Sequence, residues 1–146
     1  MKLEFSAGGI VFKKEKDQVS ILLEKHSQYH KWGFPKGLIG DTNSDESKED
    51  TAIREVKEET GIDAKIVSGD AFKEEHWYVW EGEKRKKTVY YYIMEYIGGD
   101  FSEKDDEMEE VEWVSVEEVI NKLSFKNAKD AFEKARPLIK KLAKEL

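Results

Sequence analysis

Glu55, Glu58 and Glu59 stand at i, i+3 and i+4 in the run Arg54-Glu55-Val56-Lys57-Glu58-Glu59-Thr60-Gly61-Ile62. If that run is helical, the spacing brings its carboxylates to one face within about one turn. Like charges that close destabilise a bare helix, and here they lie toward its C-terminal half, where the macrodipole already disfavours anions. Local preference is violated twice, and such violations concentrate at functional sites. A hard divalent cation would relieve both conflicts. Mg2+, with Mn2+ as the alternative, takes carboxylate oxygens and water and commonly shares its site with substrate phosphates. For an isolated Glu-Glu pair the competing reading is a solvated acidic face with Arg54 and Lys57 as partners.

The flanking residues reverse that preference. Seven residues separate Arg54 from Glu46, and five separate Glu46 from Gly40. The string Gly40-x5-Glu46-x7-Arg54-Glu55-Val56-x-Glu58-Glu59-x-Gly61-Ile62 resembles the signature of the Nudix hydrolase family at every specified position. Trp32-Gly33-Phe34-Pro35-Lys36-Gly37 before it, and Lys87-Thr88-Val89-Tyr90-Tyr91-Tyr92 after it, resemble the subgroup that cleaves diadenosine tetraphosphate asymmetrically. One departure is visible. In that subgroup the glycine of the Pro-Lys-Gly triplet also opens the signature, whereas Gly37 comes three residues too early here and Gly40 satisfies the count. Leu38 to Asp45 is therefore a longer loop than usual, and either Gly37 or Gly40 could give its backbone carbonyl to a metal.

The resemblance implies an α/β/α sandwich, with a mixed central sheet and helices on both faces. It implies Mg2+-dependent hydrolysis of a phosphoanhydride in a dinucleoside polyphosphate, diadenosine tetraphosphate giving ATP and AMP by attack of water on phosphorus. Glu55 and Glu59 are then the principal metal ligands, and Glu58 is a ligand or the base that takes a proton from water. Glu46 and Arg54 pin the loop to the helix and orient Glu55. Glu107 matches an extra carboxylate ligand. Tyr91 matches a base-stacking tyrosine in the Lys-x-Val-x-Tyr pattern that begins at Lys87, and Trp32 joins it on the substrate side. His30 sits at a spacing from Trp32 where relatives carry a phosphate-contacting or acid-base residue. The same chemistry on ADP-ribose, an oxidised nucleoside triphosphate, an RNA 5′ triphosphate or an inositol polyphosphate is the alternative. A non-catalytic nucleotide-binding module is the reading from another class.

Part of this stands without the resemblance. Divalent cations acidify bound water and neutralise charge on phosphate oxygens during in-line displacement. Lys36 could add a fixed positive charge beside a leaving polyphosphate, against the plainer reading of an exposed loop lysine. The scattered histidines lack a His-x-x-x-His arrangement, which argues against zinc.

Elements must position these groups. Leu3 and Phe5 alternate with polar neighbours and Ile10 to Phe12 continue the run. Ala7 to Gly9 allows a bulge or close backbone approach. Val19, Ile21 and Leu23 form a second strand after a charged turn over Lys13 to Asp17, which predicts a hairpin. Ser27 to Asp45 reads as a long functional loop. A helix is expected over Glu46 to Thr60, with Gly61 after its end. Strands are expected over Ala64 to Val67, Ala71 to Trp80, Thr88 to Ile97 and Val111 to Val114, with Glu81 to Lys87 as a charged loop. Ser115 and Glu118 suggest a capping box before a small helix. Phe125 to Leu146 carries one apolar stripe, which stays in phase past Pro137 and predicts a kinked rather than interrupted helix.

At 146 residues the chain is one domain's worth, and a single Nudix unit is expected over residues 1–146. Lys plus Arg number 25 against 32 Asp plus Glu, a formal charge of −7 that argues against non-specific nucleic-acid binding. Cysteine is absent, which removes disulfides, zinc thiolates and thiol nucleophiles and suits a reducing cytoplasm, the expected location. No apolar run approaches the ~20 residues of a membrane span. The partner expected is a nucleotide polyphosphate, with the chain a monomer or homodimer.

Overall fold

A computed structural model describes residues 1–40 and 44–146. The expected extended loop from Leu38 to Asp45 thus falls in part, at residues 41–43, outside the described residues. Strand β1 (Lys2–Glu15) and β2 (Gln18–His26) form the predicted hairpin, with Phe12 opposite Ile21. Its turn is tighter than expected: pairing continues to Glu15 opposite Gln18, so Lys13 to Glu15 are strand. Two short strands, β3 (Lys31–Gly33) and β4 (Lys36–Leu38), lie inside the stretch read as loop.

Helix α1 (Lys48–Thr60) follows, with Ser47 accepting a hydrogen bond from the Asp50 N–H at 3.1 Å. Gly61 ends it in the left-handed region, φ 81°, donating its N–H to the Lys57 carbonyl. A side chain at Gly61 would also collide with the Asp100 carbonyl, because an added Cβ would sit 2.1 Å from that oxygen.

Next come β5 (Ile62–Ile66), β6 (Phe72–Trp80) and β7 (Glu83–Gly99). The expected loop from Glu81 to Lys87 shrinks to Glu81 and Gly82, since Glu83 already pairs with Trp80. Cross-strand pairs such as Lys86 with Glu75, at 2.6 Å, let charged residues continue the ladder. A 3-10 turn over Phe101–Glu103 leads to β8 (Met108–Ser115), α2 (Val119–Lys122) and α3 (Lys126–Lys144). The Ser115–Glu118 capping box does not form. Glu118 is itself the residue before α2, without a side-chain cap bond, and its N–H reaches only the Ser115 carbonyl. Helix α3 runs through Pro137.

The sheet is mixed, in the order β3-β2-β1-β7-β5, with β4 on β1, β6 on β7 and β8 on β2. Strands β1 and β7 run parallel from Lys2–Arg85 to Phe12–Glu95. On its other side β1 pairs first with β4, Ala7 opposite Gly37, and only later with β2. The Gly9 N–H donates to the Pro35 carbonyl at 3.1 Å, the close approach expected in that stretch.

Alternation along the strands divides the core in two. Ile10, Phe12, Ile21, Leu23, Val89, Tyr91 and Ile93 pack with Phe132, Ala135 and Ile139 of α3. Val11, Leu22, Tyr92 and Met94 pack with Ala52 and Val56 of α1. A helix therefore covers each face, the expected α/β/α arrangement. Among the described residues no helix is long and apolar enough to cross a membrane.

Candidate active site

Helix α1 carries its carboxylates against β4 and β2. Arg54 organises the near end: Nε meets Glu46 Oε2 at 2.8 Å, Nη2 meets Glu46 Oε1 at 2.9 Å, and Nη1 reaches Glu55 Oε1 at 2.9 Å and Glu58 Oε2 at 3.1 Å. Thr51 Oγ1 also donates to Glu46 at 2.7 Å. These donors, Arg54 first, hold the Glu46 carboxyl below its ordinary value. Glu46 and Arg54 thus tie the segment before α1 to the helix, and Arg54 also bonds Glu55.

Glu55 is buried, Glu59 partly buried and Glu58 exposed. Gly37 lies directly on Glu55: a Cβ added there would fall 2.2 Å from the Glu55 carboxyl carbon, so only glycine leaves room. Gly40 instead lies in the turn after β4, with φ 77°. Of the two glycines, the structure brings Gly37 to the carboxylates. The next amide along β4 serves the cluster too, since the Lys36 N–H donates to Glu59 Oε1 at 3.2 Å.

A further carboxylate, Glu24 of β2, completes the group. It is 7% exposed, shares a hydrogen bond with Glu59, and its Oε1 has no hydrogen-bond partner among the described residues. Burial pushes the Glu24 carboxyl up, opposed by the Glu59 hydrogen bond and the Lys36 charge. Burial likewise pushes Glu59 up, reinforced by the hydrogen bond to Glu24 and the charges of Glu24 and Glu55. Sequence reasoning passed over Glu24. The available signal was a carboxylate two residues after Leu22, on the strand phase that packs toward α1.

A cavity of about 530 Å3 opens beside this group. Glu24 and Lys36 form one part of its wall with Lys87, Glu74 and His76, while His26, Tyr29, Trp32, Phe34 and Phe125 give it an aromatic side. The Lys87 ammonium is held below its ordinary value by burial and then by the neighbouring Lys36 charge. Two ammonium groups that repel one another at the edge of a cavity are suited to an anion. Trp32 is partly buried, with Lys122 Nζ 4.3 Å from its ring centroid. Tyr29 and Phe125, 60% and 54% exposed, offer free aromatic surface. Neither was singled out in the sequence, because Phe125 comes from the far end of the chain and Tyr29 lacks a pattern of its own.

Two expected contributors, His30 and Glu107, lie outside the cavity lining, and a third, Tyr91, is almost wholly covered. Tyr91 lines the cavity wall but is 1% exposed, in register with Val89 and Ile93 on the α3 side and edge-on to Phe34 at 5.3 Å, which leaves little of its ring open to a base. Its hydroxyl donates to Glu74 Oε2 at 3.2 Å. His30 is outside the cavity lining, at φ 56°, with Nδ1 2.7 Å from Glu109 Oε1 on the surface. Glu107 is exposed, while Asp105 is the acidic residue whose charge acts on Glu24 and whose N–H donates to the Glu59 carbonyl at 3.2 Å. The Glu107 N–H bonds Asp105 Oδ1 and its carbonyl accepts from Ser27, which fixes the turn with Asp105 inward.

The donor set suits a hard divalent cation: all oxygen, partly buried, several carboxylates close together, and one buried oxygen, Glu24 Oε1, without a partner among the described residues. Among the described residues no three acidic or histidine side chains are already spaced as a complete metal-binding group, and Arg54 and the Lys36 amide engage Glu55 and Glu59.

The structure is an α/β domain with a carboxylate-bearing helix on one face of a mixed sheet, beside a cavity suited to an anion. The chain belongs to the NUDIX domain family, which it matches over residues 2–141. It is 36% identical over 145 residues to a Mycobacterium tuberculosis protein provisionally named mutator protein MutT4, covering 95% of this chain and 57% of that one. It is 30% identical over 126 residues to the pig bis(5′-nucleosyl)-tetraphosphatase (asymmetrical), covering 84% of this chain and 82% of that enzyme. Nudix hydrolase 5 of Arabidopsis thaliana is 34% identical over 116 residues, which are 75% of this chain but 36% of that protein. The chain therefore spans little more than half, or less, of the first and last of these relatives. Its fold matches that of a Caenorhabditis elegans Ap4A hydrolase in a binary complex, with TM-score 0.69 at 21% identity over 93% of this chain and 97% of that one.

Proposed function

We propose that the chain hydrolyses a phosphoanhydride bond in a nucleoside diphosphate derivative, with diadenosine tetraphosphate as the first substrate to test and Mg2+ as the cofactor. The observation that carries this reading is the adjacency of buried carboxylates to the Lys36 and Lys87 ammonium groups at an aromatic cavity. Glu55 and Glu59 would hold the cation, with the Gly37 backbone beside them. Bound there, a divalent ion would supply charge neutralisation on phosphate oxygens and a more acidic water.

The rest is the work of the chain's own groups. Lys36 and Lys87 bind the polyphosphate and limit its freedom to swing away from the attacking water. Trp32, Tyr29 and Phe125 take a nucleobase, since flat aromatic surfaces grip a base with little ordering cost. Glu58, exposed and held by Arg54, accepts the proton of the attacking water at a carboxylate oxygen. Arg54 and Glu46 keep that carboxylate and Glu55 in place. Residues 1–146 act as one unit, in a reducing cytoplasm suited to a cysteine-free chain.

A panel of diadenosine tetraphosphate, ADP-ribose, oxidised nucleoside triphosphates and inositol polyphosphates with Mg2+ tests the assignment. Turnover of ADP-ribose with diadenosine tetraphosphate untouched would discard the substrate class while keeping the chemistry. Absence of turnover throughout, with nucleotide binding retained, would leave a binding module.

A further inference from the structure

The geometry points to Glu24 as an additional carboxylate ligand of the divalent cation, supplied by the sheet rather than by the helix. This rests on the metal-dependent reading above. Glu24 sits where β2 is flanked on both sides, opposite Gly33 of β3 and Val111 of β8, so its backbone is fixed by the sheet. Its phase is that of Leu22, which packs with Ala52 and Val56 of α1, and this sends its side chain toward the carboxylates of the helix. It reaches Glu59 and lines the cavity as well, so it stands between the helix carboxylates and the space a nucleotide would fill.

The energetics favour a cation at that point. A buried carboxylate oxygen without a hydrogen bond is costly, and Glu24 Oε1 is one. Glu55 and Glu59 add like charge beside it. Arg54 is engaged with Glu46, Glu55 and Glu58 and the Lys36 amide with Glu59, while the Lys36 ammonium acts on Glu24 through its charge. A structural residue at this strand position would be apolar, as Leu22 is. A rigid oxygen donor facing the helix is what a small cation needs to gain a ligand from outside α1, and it would tie the ion to the cavity wall.

The test is calorimetric titration of Mn2+ into the metal-stripped full chain, without nucleotide, for wild type, Glu24→Gln, Glu24→Asp and Glu59→Gln. Glutamine retains the size of Glu24 and a hydrogen bond to Glu59 but lacks the anionic oxygen, so a residue that only positions Glu59 would tolerate it. The expected result is a Mn2+ affinity lowered ~10–100-fold or more in Glu24→Gln, the range found even for groups one step removed from a metal. Glu24→Asp should fall between, and circular dichroism of each variant should match wild type. Wild-type affinity in Glu24→Gln, with Glu59→Gln impaired, overturns the role of Glu24 and leaves the metal site standing. If wild type itself binds no Mn2+, or Glu59→Gln binds as wild type does, the underlying reading fails together with the inference.

Discussion

Gly37 of β4 lies against the carboxylate of Glu55 so closely that an added methyl carbon would fall 2.2 Å from its Cδ. Because β4 is held by its pairing with β1 at Ala7, relief of such an overlap would fall first on the Glu55 side chain, which Arg54 holds at 2.9 Å.

Gly37→Ala should therefore displace Glu55 or β4. We expect Mn2+ affinity and kcat each to fall ~10–100-fold, the cost typical of disturbing a ligand's support. Gly69→Ala, where an added Cβ meets nothing within 4 Å, should behave as wild type in the same titration. Equal behaviour of the two variants would show that Glu55 moves freely.

Arg54→Lys tests the clasp on Glu46. Lysine cannot span both Glu46 oxygens while reaching Glu55 and Glu58. Turnover should drop ~10–100-fold with the melting temperature little changed, as for other groups that orient ligands. A loss of stability matching the loss of activity would instead make Arg54 a structural residue.

The Lys87 ammonium is held below its ordinary value of 10.5 by burial and by Lys36. Between its folded and ordinary values the folded state binds fewer protons, so its contribution to stability rises with pH. Binding of an anion needs the charged form and has the opposite slope. Affinity for inorganic triphosphate, measured from neutral to alkaline pH, should begin to weaken below the pH at which an ordinary lysine titrates. Lys87→Arg should remove that decline, since arginine stays charged.

Glu24 and Glu59 are both raised above the ordinary carboxylate value of 4.5. Above that value the folded, metal-free state binds more protons than the unfolded chain, so stability falls as pH rises toward neutrality. Carboxyls held low by their partners, such as Glu46, Glu75 and Glu109, lose their contribution as pH falls, and so act at the acidic end. Melting temperature in chelator should decline from mildly acidic to neutral pH, and Mg2+ should restore it. A flat profile would place the pair in water rather than in the protein interior.

Much of the architecture is legible in the residues. The apolar alternation of β1 and β2, the periodicity of α1 and the stripe of α3 each report which face is buried, because burial acts on every residue of the element. Gly61 announces the helix end because few other residues accept its backbone angle. What stays hidden depends on tertiary register. Tyr91 is in a pattern that suggests stacking, yet one residue of phase decides that it joins Val89 and Ile93 in the core. Glu24, Tyr29 and Phe125 meet only after strands and α3 are placed, so no local spacing announces them. Asp105 rather than Glu107 turns inward because the Asp105 N–H bonds the Glu59 carbonyl while Ser27 bonds the Glu107 carbonyl, which an acidic run does not encode.

Strand β4 is only Lys36–Leu38, yet its pairing with β1 anchors Gly37 and the Lys36 amide whatever the chain does before Glu46. The carboxylates are thus held from two separate places in the chain, the amide and glycine of β4 and the Glu46–Arg54 clasp. The number of residues between those two places does not enter either contact. A pattern counted back from Glu46 then arrives at Gly40, a glycine past the strand, while the glycine that touches Glu55 lies three residues earlier.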